Sequence, residues 1–300
     1  MRCAECSFVF CVEWPLKHLD HVQLAMPPMP EQQQEYWGTQ FLENEYALEA
    51  LYEPELRGYL DMLARQRSPG TLLDVGCSFG AFVKVARESG WDAEGIDTSA
   101  AAIAFGTERL GVPLRAGDAL CSDLRPGYYD VVTILDVIEH QLDPGPLLSH
   151  IGSLLGPGGF LLVETPDHDS FYNVLYGWYN SANNMLASLT RGRWDRPLPM
   201  YYAYEHENLY QSGHVLHFTA HSLEKLLARH GFRLVEMHKQ FSNIDYLVAR
   251  NRSAAVRLAI RVAHAASRLL RRPNKLVALF EVSAESAIPS APVRQTRNLA

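Results

Sequence analysis

The chain has 300 residues and a formal net charge of −7, with 47% hydrophobic and 20% charged residues. This composition is typical of a globular protein with an apolar core, and the acidic balance argues against a nucleic-acid partner, whose phosphates select basic surfaces. No apolar run is long enough to span a bilayer, and the N-terminal sequence "MRCAECSFVF" lacks a secretory pattern. We therefore expect a cytoplasmic protein.

Residues 1–34 contain cysteines followed by a linker. Cys3 and Cys6 have the spacing of half a zinc site, but a structural zinc takes four ligands, and His18 and His21 fall outside the usual finger spacing. The crowding of cysteines at the N-terminus does not indicate a disulfide framework. We therefore expect no bound metal, with zinc at Cys3 and Cys6 as the alternative. The stretch "MPPMPEQQQ" is typical of a linker.

A helical segment follows over residues 35–69. Apolar residues recur at three- and four-residue spacing from Leu48 to Leu63, which predicts a helix with one apolar face from Glu35 to about Arg67. A Ser-Pro-Gly sequence then predicts the end of this helix.

From residue 70 to residue 166, short apolar stretches alternate with helical patterns. The predicted strands are "TLLDVG", "WDAEGIDTS", "VPLRAGD", "DVVTIL" and "FLLVETP". The predicted helices, each ending at a glycine, are "GAFVKVARESG", "AAIAFGTERLG" and "GPLLSHIGSLLGPGG". Such alternation indicates an α/β fold, a doubly wound parallel sheet with helices on both faces, which binds ligands at the carboxyl ends of its strands.

Residues 167–213 interrupt this alternation. We interpret the segment as a lid that covers the strand ends. Its aromatic side chains could stack on a ring or a sugar, or could simply form the packed core of the lid. They include Tyr172, Tyr176, Trp178, Trp194, Tyr201, Tyr202 and Tyr204.

Residues 214–283 complete the fold, and residues 284–300 have the small, polar composition of a disordered tail. "TAHSLEKLLARHGF" predicts a helix, "RLVEMHKQ" a sixth strand and "KLVALFEV" a seventh. The helix predicted between the last two strands, "SAAVRLAIRVAHAASRLLRR", is rich in alanine and arginine. Such a helix could lie on an anionic membrane surface, but these helices more often pack on their own sheet, so membrane contact is not our expectation.

The turn "DVGCSFG" after the first predicted strand distinguishes two classes of nucleotide cofactor. A dinucleotide site requires G-x-G-x-x-G, whereas here Asp74, Gly76, Ser78 and Gly80 alternate with other residues and no glycine stands three positions after Ser78. A carboxylate at Asp74 would repel a pyrophosphate but would attract a cationic amino group. The turn therefore favours S-adenosylmethionine over NAD.

Two more acids end the second and third predicted strands. Asp97 in "GIDTS" can accept hydrogen bonds from both ribose hydroxyls, and Asp118 in "AGDAL" can accept one from the adenine amino group. Each acid by itself could be a turn or capping residue, but acids at three successive strand ends favour one shared site. We assign their neighbours Thr98 and Ala119, and Leu135 at the end of the fourth strand, to the same cofactor site.

The segments "LLDVGCSFG", "GIDTS", "YDVVTILDVIEH" and "LGPGGFLLVETPD" together resemble the class I S-adenosylmethionine-dependent methyltransferases. The match is close over residues 70–166 and looser over 210–236, and it is similar to the small-molecule branch of ubiquinone-pathway O-methyltransferases and sugar-cluster methyltransferases. The resemblance implies a Rossmann-like, seven-stranded sheet with strand seven antiparallel between strands five and six. The chain departs from the family at Ser78, where a glycine is usual, and in having one C-x-x-C pair where members often have two.

The resemblance also implies transfer of a methyl group to a small-molecule acceptor, such as a hydroxyl of a sugar or an aromatic metabolite. A histidine with a near-neutral pKa would suit removal of the hydroxyl proton. By the family's H-x-x-x-F-[ST] pattern, His214 would face the active cleft, so we predict His214 as the base and His140 as a positioning group. A surface or supporting role is the alternative for each histidine.

Two other classes of protein share this fold. A protein or RNA methyltransferase and a non-enzymatic or regulatory protein that retains the cofactor-binding fold are the alternatives. The sequence "LDVIEH" stands where nucleic-acid base methyltransferases usually show [N/D]-P-P-[Y/F], which argues against adenine N6 chemistry. The sequence indicates no oligomeric state.

Overall fold

The computed structural model describes residues 9–10, 41–171, 173–175, 214–249 and 253–283. The zinc half-site considered at Cys3 and Cys6, most of the aromatic lid and the C-terminal tail therefore lie outside the described residues. No helix within the described part of the chain is long and apolar enough to cross a membrane.

Two helices precede the main sheet. After a short strand, β1 (Val9–Phe10), the described chain continues with α1 (Phe41–Ala47) and α2 (Glu49–Ala64). The sequence predicted one helix over this stretch, but the structure has two, because the Leu48 N–H divides its hydrogen bond between two carbonyls of the preceding turn. The second half of the predicted apolar face, Leu56, Tyr59, Leu60 and Leu63, is buried, whereas Leu48 and Leu51 at its start are half-buried. Met62, which was not predicted to belong to this face, is buried as well.

The remaining elements follow the predicted alternation of strands and helices. The first half contains β2 (Thr71–Val75), α3 (Ala81–Glu88), β3 (Asp92–Asp97), α4 (Ala100–Leu110), β4 (Leu114–Ala116), β5 (Tyr129–Leu135), a 3₁₀ turn (Ile138–His140), α5 (Gly145–Leu154) and β6 (Leu155–Pro166). The second half contains β7 (Leu216–His217), α6 (Ala220–Arg229), β8 (Phe232–Gln240), α7 (Ile244–Ala249), α8 (Ala254–Leu269) and β9 (Lys275–Val282). The sequence analysis did not predict β1, β7 or α7.

The main sheet has seven strands in the order β4-β3-β2-β5-β6-β9-β8. The five strands from β4 to β6 in this order are parallel, whereas β9 runs antiparallel to both β6 and β8. This confirms the Rossmann-like sheet and the antiparallel last strand. The chain winds outward through β3 and β4 and then returns to β5, so the switch point lies between β2 and β5, where a crevice at the carboxyl ends can take a ligand.

Two apolar clusters cover the two faces of the sheet. Neighbouring residues of a strand point to opposite faces, so Leu72 packs in the cluster that contains α2, α3 and α4, while Leu73 packs in the cluster that contains α5 and α6. Val131 and Val132 of β5 divide between the clusters in the same way. This confirms the predicted arrangement of helices on both faces.

Three local features differ from the sequence predictions. The Gly-Pro-Gly-Gly sequence after α5 was predicted to stop the helix before the strand, but it lies inside β6. The strand begins early because Leu155 already pairs with Tyr129 of β5, and the register between the two strands shifts after this pair. A separate two-stranded sheet pairs β1 with β7 in antiparallel register. Helix α8 makes its most extensive contacts with α7 and not with a strand, which differs from the common tendency of such helices to pack on their own sheet.

Candidate active site

Acidic side chains lie along the carboxyl edge of the sheet. Asp74 is in β2 and Asp97 ends β3, as predicted. Asp118 follows β4, Asp136 follows β5, and Glu164 lies near the end of β6. A row of carboxylates produces a negative potential that favours a cationic ligand at this edge.

The turn after β2 needs small residues for steric reasons. Gly76 and Gly80 have positive φ angles of 79° and 87°. A Cβ on Gly76 would lie 2.4 Å from Val137 Cγ2, and one on Gly80 would lie 2.8 Å from Leu114 Cδ2. Ser78 has a φ of 49°, a left-handed conformation that costs a non-glycine residue about 1–2 kcal/mol. Ser78 therefore adopts the backbone shape of the glycine usual at this position.

Asp97 fastens this turn to β3. Its Oδ2 accepts a hydrogen bond from the Ser78 N–H at 2.8 Å, and its Oδ1 accepts one from the Ser99 N–H at 2.7 Å. Each carboxylate oxygen can accept a second hydrogen bond, so capacity for two ribose hydroxyls is retained. Gly80 caps α3 without a side-chain hydrogen bond from the described residues, which leaves the first helical N–H groups available to an anion such as a carboxylate.

Asp74 is buried below the turn. Only 3% of its surface is exposed, and its Oδ1 accepts a 2.6 Å hydrogen bond from Thr133 Oγ1. Burial raises the pKa of Asp74 to about 7, while the Thr133 hydrogen bond opposes this shift and the charge of Asp97 adds to it. A cationic group bound nearby would favour the ionised form of Asp74.

The other predicted cofactor residues lie at the same edge. Asp118 is exposed, and its Oδ1 accepts the Leu120 N–H at 2.9 Å in the turn after β4. Ala119 is buried beside it, Thr98 is exposed after β3, and Leu135 is half-buried at the end of β5. The fold thus gathers the predicted cofactor residues along one edge, and their contacts with a cofactor stay predictions.

A second group of side chains lies beside β5 and β6. The 3₁₀ turn carries Glu139 and His140, and the Val215 N–H donates to the Glu139 carbonyl at 2.9 Å. The rings of His140 and His214 have centroids 4.7 Å apart, and Glu139 Oε1 is 3.9 Å from His214 Nε2. Thr165 Oγ1 donates to Glu139 Oε2 at 3.0 Å. The structure therefore brings the two predicted histidines together and adds a glutamate beside them.

Glu139 is buried and His214 is half-buried, and each has a buried polar atom with incomplete hydrogen bonding. Among the described residues, neither Glu139 Oε1 nor His214 Nδ1 has a hydrogen-bond partner. Burial raises the pKa of Glu139 well above its usual value. Burial, with a further contribution from the adjacent His140, lowers the pKa of His214 to about 4 against the opposing charge of Asp136. His214 is therefore neutral at pH 7, and the expectation of a near-neutral pKa is corrected, because β7 and the 3₁₀ turn bury its ring.

The same residues could hold a metal ion. One ligand atom from each of Glu139, His140 and His214 lies within 4.8 Å of the other two. Two imidazole nitrogens and a carboxylate are a donor set that suits transition metals such as Zn²⁺. We predicted no metal from the sequence, since the cluster joins two segments that are distant along the chain.

A half-buried cation, Lys275, lies beside Glu164. Lys275 Nζ forms an ion pair with Glu164 and a second one, at 2.8 Å, with Glu55 of α2. Tyr59 OH donates to the same Glu55 oxygen at 3.0 Å. Burial lowers the pKa of Lys275, but the charges of Glu164, Asp136 and Glu55 outweigh burial and raise it well above its usual value. This network fastens α2 and β9 to the end of β6.

Asp136 and Glu139, which lie at the candidate site in the structure, were not predicted from the sequence. A signal was present in "LDVIEH", where an acid and a Glu-His pair directly follow a buried parallel strand, at the edge where ligands bind. No comparable local signal marks Lys275, because its ion pairs depend on the antiparallel position of β9.

Comparison with known proteins identifies related sequences. A family model described as a methyltransferase domain matches residues 44–237, more than half of the chain. The ubiquinone biosynthesis O-methyltransferase of Nitrosomonas europaea is 30% identical over 146 residues, which cover 45% of this chain and 59% of that protein. The corresponding enzyme of Pectobacterium carotovorum is 29% identical over 137 residues, covering 41% and 54%. The match thus spans little more than half the length of these curated relatives.

Solved structures share the fold. A SAM-dependent methyltransferase from Archaeoglobus fulgidus is similar with a TM-score of 0.51 and 21% identity, covering 81% of this chain and 99% of that one. Phosphoethanolamine N-methyltransferase 2 of Haemonchus contortus, solved in complex with S-adenosyl-L-methionine, is similar with a TM-score of 0.55 and 17% identity, covering 86% and 61%. At these identities the likeness shows the arrangement of the strands and helices.

Proposed function

The chain belongs to the class I S-adenosylmethionine-dependent methyltransferases, and on that premise we propose that it methylates a hydroxyl oxygen of a small sugar or aromatic metabolite. The O-methyltransferases among its relatives support oxygen as the acceptor atom. When bound, the cofactor supplies an electrophilic methyl group on a sulfonium. The chain itself must bind the acceptor in line with that methyl group, exclude water and take up the hydroxyl proton.

The ends of β2 and β3 fit this cofactor. The backbone of Gly76, Ser78 and Gly80 leaves a turn without bulky side chains, and the Asp97 oxygens can accept from ribose hydroxyls. The uncapped start of α3 suits the carboxylate of the methionine group. The acidic edge suits the positive charges of its ammonium and sulfonium groups.

Two buried polar atoms, Glu139 Oε1 and His214 Nδ1, support the acceptor site most directly. Neither has a hydrogen-bond partner among the described residues. A buried polar atom without a partner costs about 1–3 kcal/mol, so a ligand that supplies the missing partner gains affinity. An acceptor hydroxyl that donates to His214 Nδ1 would satisfy this atom and would be oriented for loss of its proton.

His214 would take up that proton. The ring is neutral at physiological pH because burial lowers its pKa to about 4. Glu139 Oε1 lies 3.9 Å from His214 Nε2, so an ionised Glu139 would stabilise the imidazolium that forms, and the imidazolium would in turn lower the raised pKa of Glu139. Thr165 holds the other carboxyl oxygen of Glu139 in place. His140 packs against the His214 ring, which suits the predicted role of a positioning group.

A metal ion at Glu139, His140 and His214 is the competing arrangement of the same site. The close approach of their ligand atoms favours it. Glu139, His140 and His214 would hold such an ion, which would supply Lewis-acid activation of the acceptor hydroxyl, and His214 would then serve as a ligand and not as the base. The two arrangements therefore predict opposite effects of a chelator.

The proposal is tested by incubating the full chain with S-adenosylmethionine carrying a labelled methyl group and a panel of catechols, phenols and sugars. We expect a labelled methoxy product, identified by mass spectrometry and NMR. Label found only in added protein or RNA would contradict the proposal and favour a macromolecular acceptor. Binding of S-adenosylhomocysteine without transfer to any acceptor class would favour a non-enzymatic protein. Turnover that survives EDTA supports His214 as the base, whereas loss that zinc restores supports the metal arrangement.

A further inference from the structure

Helix α8 has a buried face and an exposed face, which its sequence pattern alone did not separate. On the exposed face, Leu258, Val262 and Leu269 are 64%, 62% and 84% exposed. These positions follow one line along a helix, so α8 presents a continuous apolar stripe on its outside. The face that packs towards the protein is formed by Ile260, His264 and Ser267.

A row of arginines runs beside this apolar stripe. Arg257, Arg261 and Arg268 each stand one position before a residue of the stripe, so the two rows are parallel and about 100° apart around the helix. Arg271 and Arg272 extend the positive charge beyond the end of α8, and the helix contains no acidic residue. None of the five arginines forms an ion pair with a carboxylate of the described residues. This concentration of positive charge stands on a chain whose net charge is −7.

The basic end of α8 reaches the carboxyl edge of the sheet. Arg271 and Arg272 line a cavity of about 400 Å³ together with Asp167 and Lys239. Asp167 directly follows β6, and Lys239 lies at the end of β8. A surface that α8 contacts would therefore lie next to the edge that carries the candidate active site.

We propose that the exposed face of α8 docks on an anionic lipid surface. The apolar stripe would enter the boundary between head groups and acyl chains, while the arginines would keep their guanidinium groups at the level of the phosphates. A second copy is a poor occupant, because two such faces would bring like charges together. A nucleic acid is also a poor occupant, because its phosphates would leave the apolar stripe without an apolar partner. The docking does not depend on which molecule accepts the methyl group.

The proposal is tested by flotation of the full chain with vesicles. Vesicles of phosphatidylcholine alone are compared with vesicles that contain about 30% phosphatidylglycerol, at about 0.1 M and 0.5 M NaCl. We expect the chain to float with the anionic vesicles at low salt, to float less at high salt and to stay at the bottom with the neutral vesicles.

Two double variants separate the contributions of the two rows. R257Q/R261Q is expected to weaken binding to the anionic vesicles by roughly fivefold for each arginine removed. L258S/V262S removes apolar area and is expected to weaken binding about tenfold or more while leaving the dependence on anionic lipid in place. The control is R229Q/R233Q, which removes the same formal charge from exposed positions on α6 and β8 and also breaks the ion pair of Arg233 with Glu281. This control is expected to bind like the unaltered chain.

Circular dichroism and melting of each variant establish that it is folded. Equal flotation of R257Q/R261Q and R229Q/R233Q would overturn the proposal. The proposal would also be overturned if the chain bound no anionic vesicle but was a dimer by light scattering, and if L258S/V262S converted this dimer to a monomer. The apolar stripe would then be covered by a second copy of the chain. Binding of single-stranded RNA in the absence of vesicle binding would overturn it as well.

Discussion

The proposed cofactor side and the proposed acceptor side of the same sheet edge are built in different ways. On the cofactor side, Asp97 of the neighbouring strand β3 holds the turn after β2, and both of its carboxylate oxygens already accept backbone hydrogen bonds. On the acceptor side, the 3₁₀ turn and the segment before β7 come together from distant parts of the chain. There Glu139 Oε1 and His214 Nδ1 are left without partners among the described residues.

This difference separates two tasks. A site for one invariable cofactor can be completed by the backbone, because the ligand only adds hydrogen bonds to a turn that is already fixed. A site for an acceptor and its proton keeps unsatisfied buried groups, which cost stability but interact strongly with a ligand that completes them. Variants on the two sides should therefore change different measurements.

The largest effect is expected from His214→Ala. If His214 is the base, turnover should fall by about 10²–10⁴-fold, the usual range for a positioned base, while the affinity for S-adenosylhomocysteine stays unchanged. The loss should shrink at high pH, where hydroxide removes the acceptor proton. His221→Ala, at an exposed position of α6, is the matched control and should keep full turnover. Near-normal turnover of His214→Ala at neutral pH would assign the ring a structural role.

A smaller effect, on the opposite side, is expected from Asp97→Ala. Hydrogen bonds to charged groups contribute roughly 1.5–3 kcal/mol each, so the affinity for S-adenosylhomocysteine should fall at least tenfold. The turn should also loosen, because the Ser78 N–H loses its acceptor. Asp92→Ala, at the exposed start of the same strand, is the control and should bind normally. Calorimetric titration with S-adenosylhomocysteine measures the affinity of both variants. An unchanged dissociation constant for Asp97→Ala would show that its carboxylate serves only the turn.

The smallest effect is a dependence of cofactor affinity on pH through Asp74. Its pKa is raised to about 7, so the empty site holds a proton on Asp74 below that pH. A cationic ligand favours the ionised form, so binding must release this proton, and affinity should fall as pH drops below 7, by at most about tenfold per pH unit. Titrations between about pH 8 and 6 measure the slope. Asp74→Asn should flatten it, and equal slopes for both proteins would contradict the assignment.

The local backbone of the predicted cofactor side followed from the sequence more closely than the burial and contacts of the predicted acceptor side, although the contacts of both with ligands stay predictions. Asp74, Gly76 and Gly80 were identified because a buried strand and a turn with unusual backbone angles leave a local pattern in the sequence. His214 was identified from a family pattern, but its burial was not, since the ring is covered by a turn that lies far away along the chain. Glu139 was missed although it stands next to His140.

The same distinction applies to the fold. The alternation of strands and helices was visible because periodicity is a local property, and the order of the strands followed from the resemblance. The division between α1 and α2 rests on a shared hydrogen bond of Leu48 that leaves no mark on the apolar periodicity. The pairing of β1 with β7 depends on a tertiary contact that no short window of sequence contains. The ion pair of Lys275 with Glu164 also depends on a tertiary contact, because it requires β9 to run beside β6.

The position of β9 has a consequence for synthesis of the protein. It is the last sheet strand along the described chain, yet it lies inside the sheet between β6 and β8. Until it leaves the ribosome, β8 has no neighbour in the sheet, and β6 presents an open edge that includes Leu161, Leu162 and Val163. An apolar strand with unpaired backbone groups is prone to join strands of other chains. The nascent protein is therefore most exposed to aggregation just before its final strand appears, and insertion of β9 closes that interval.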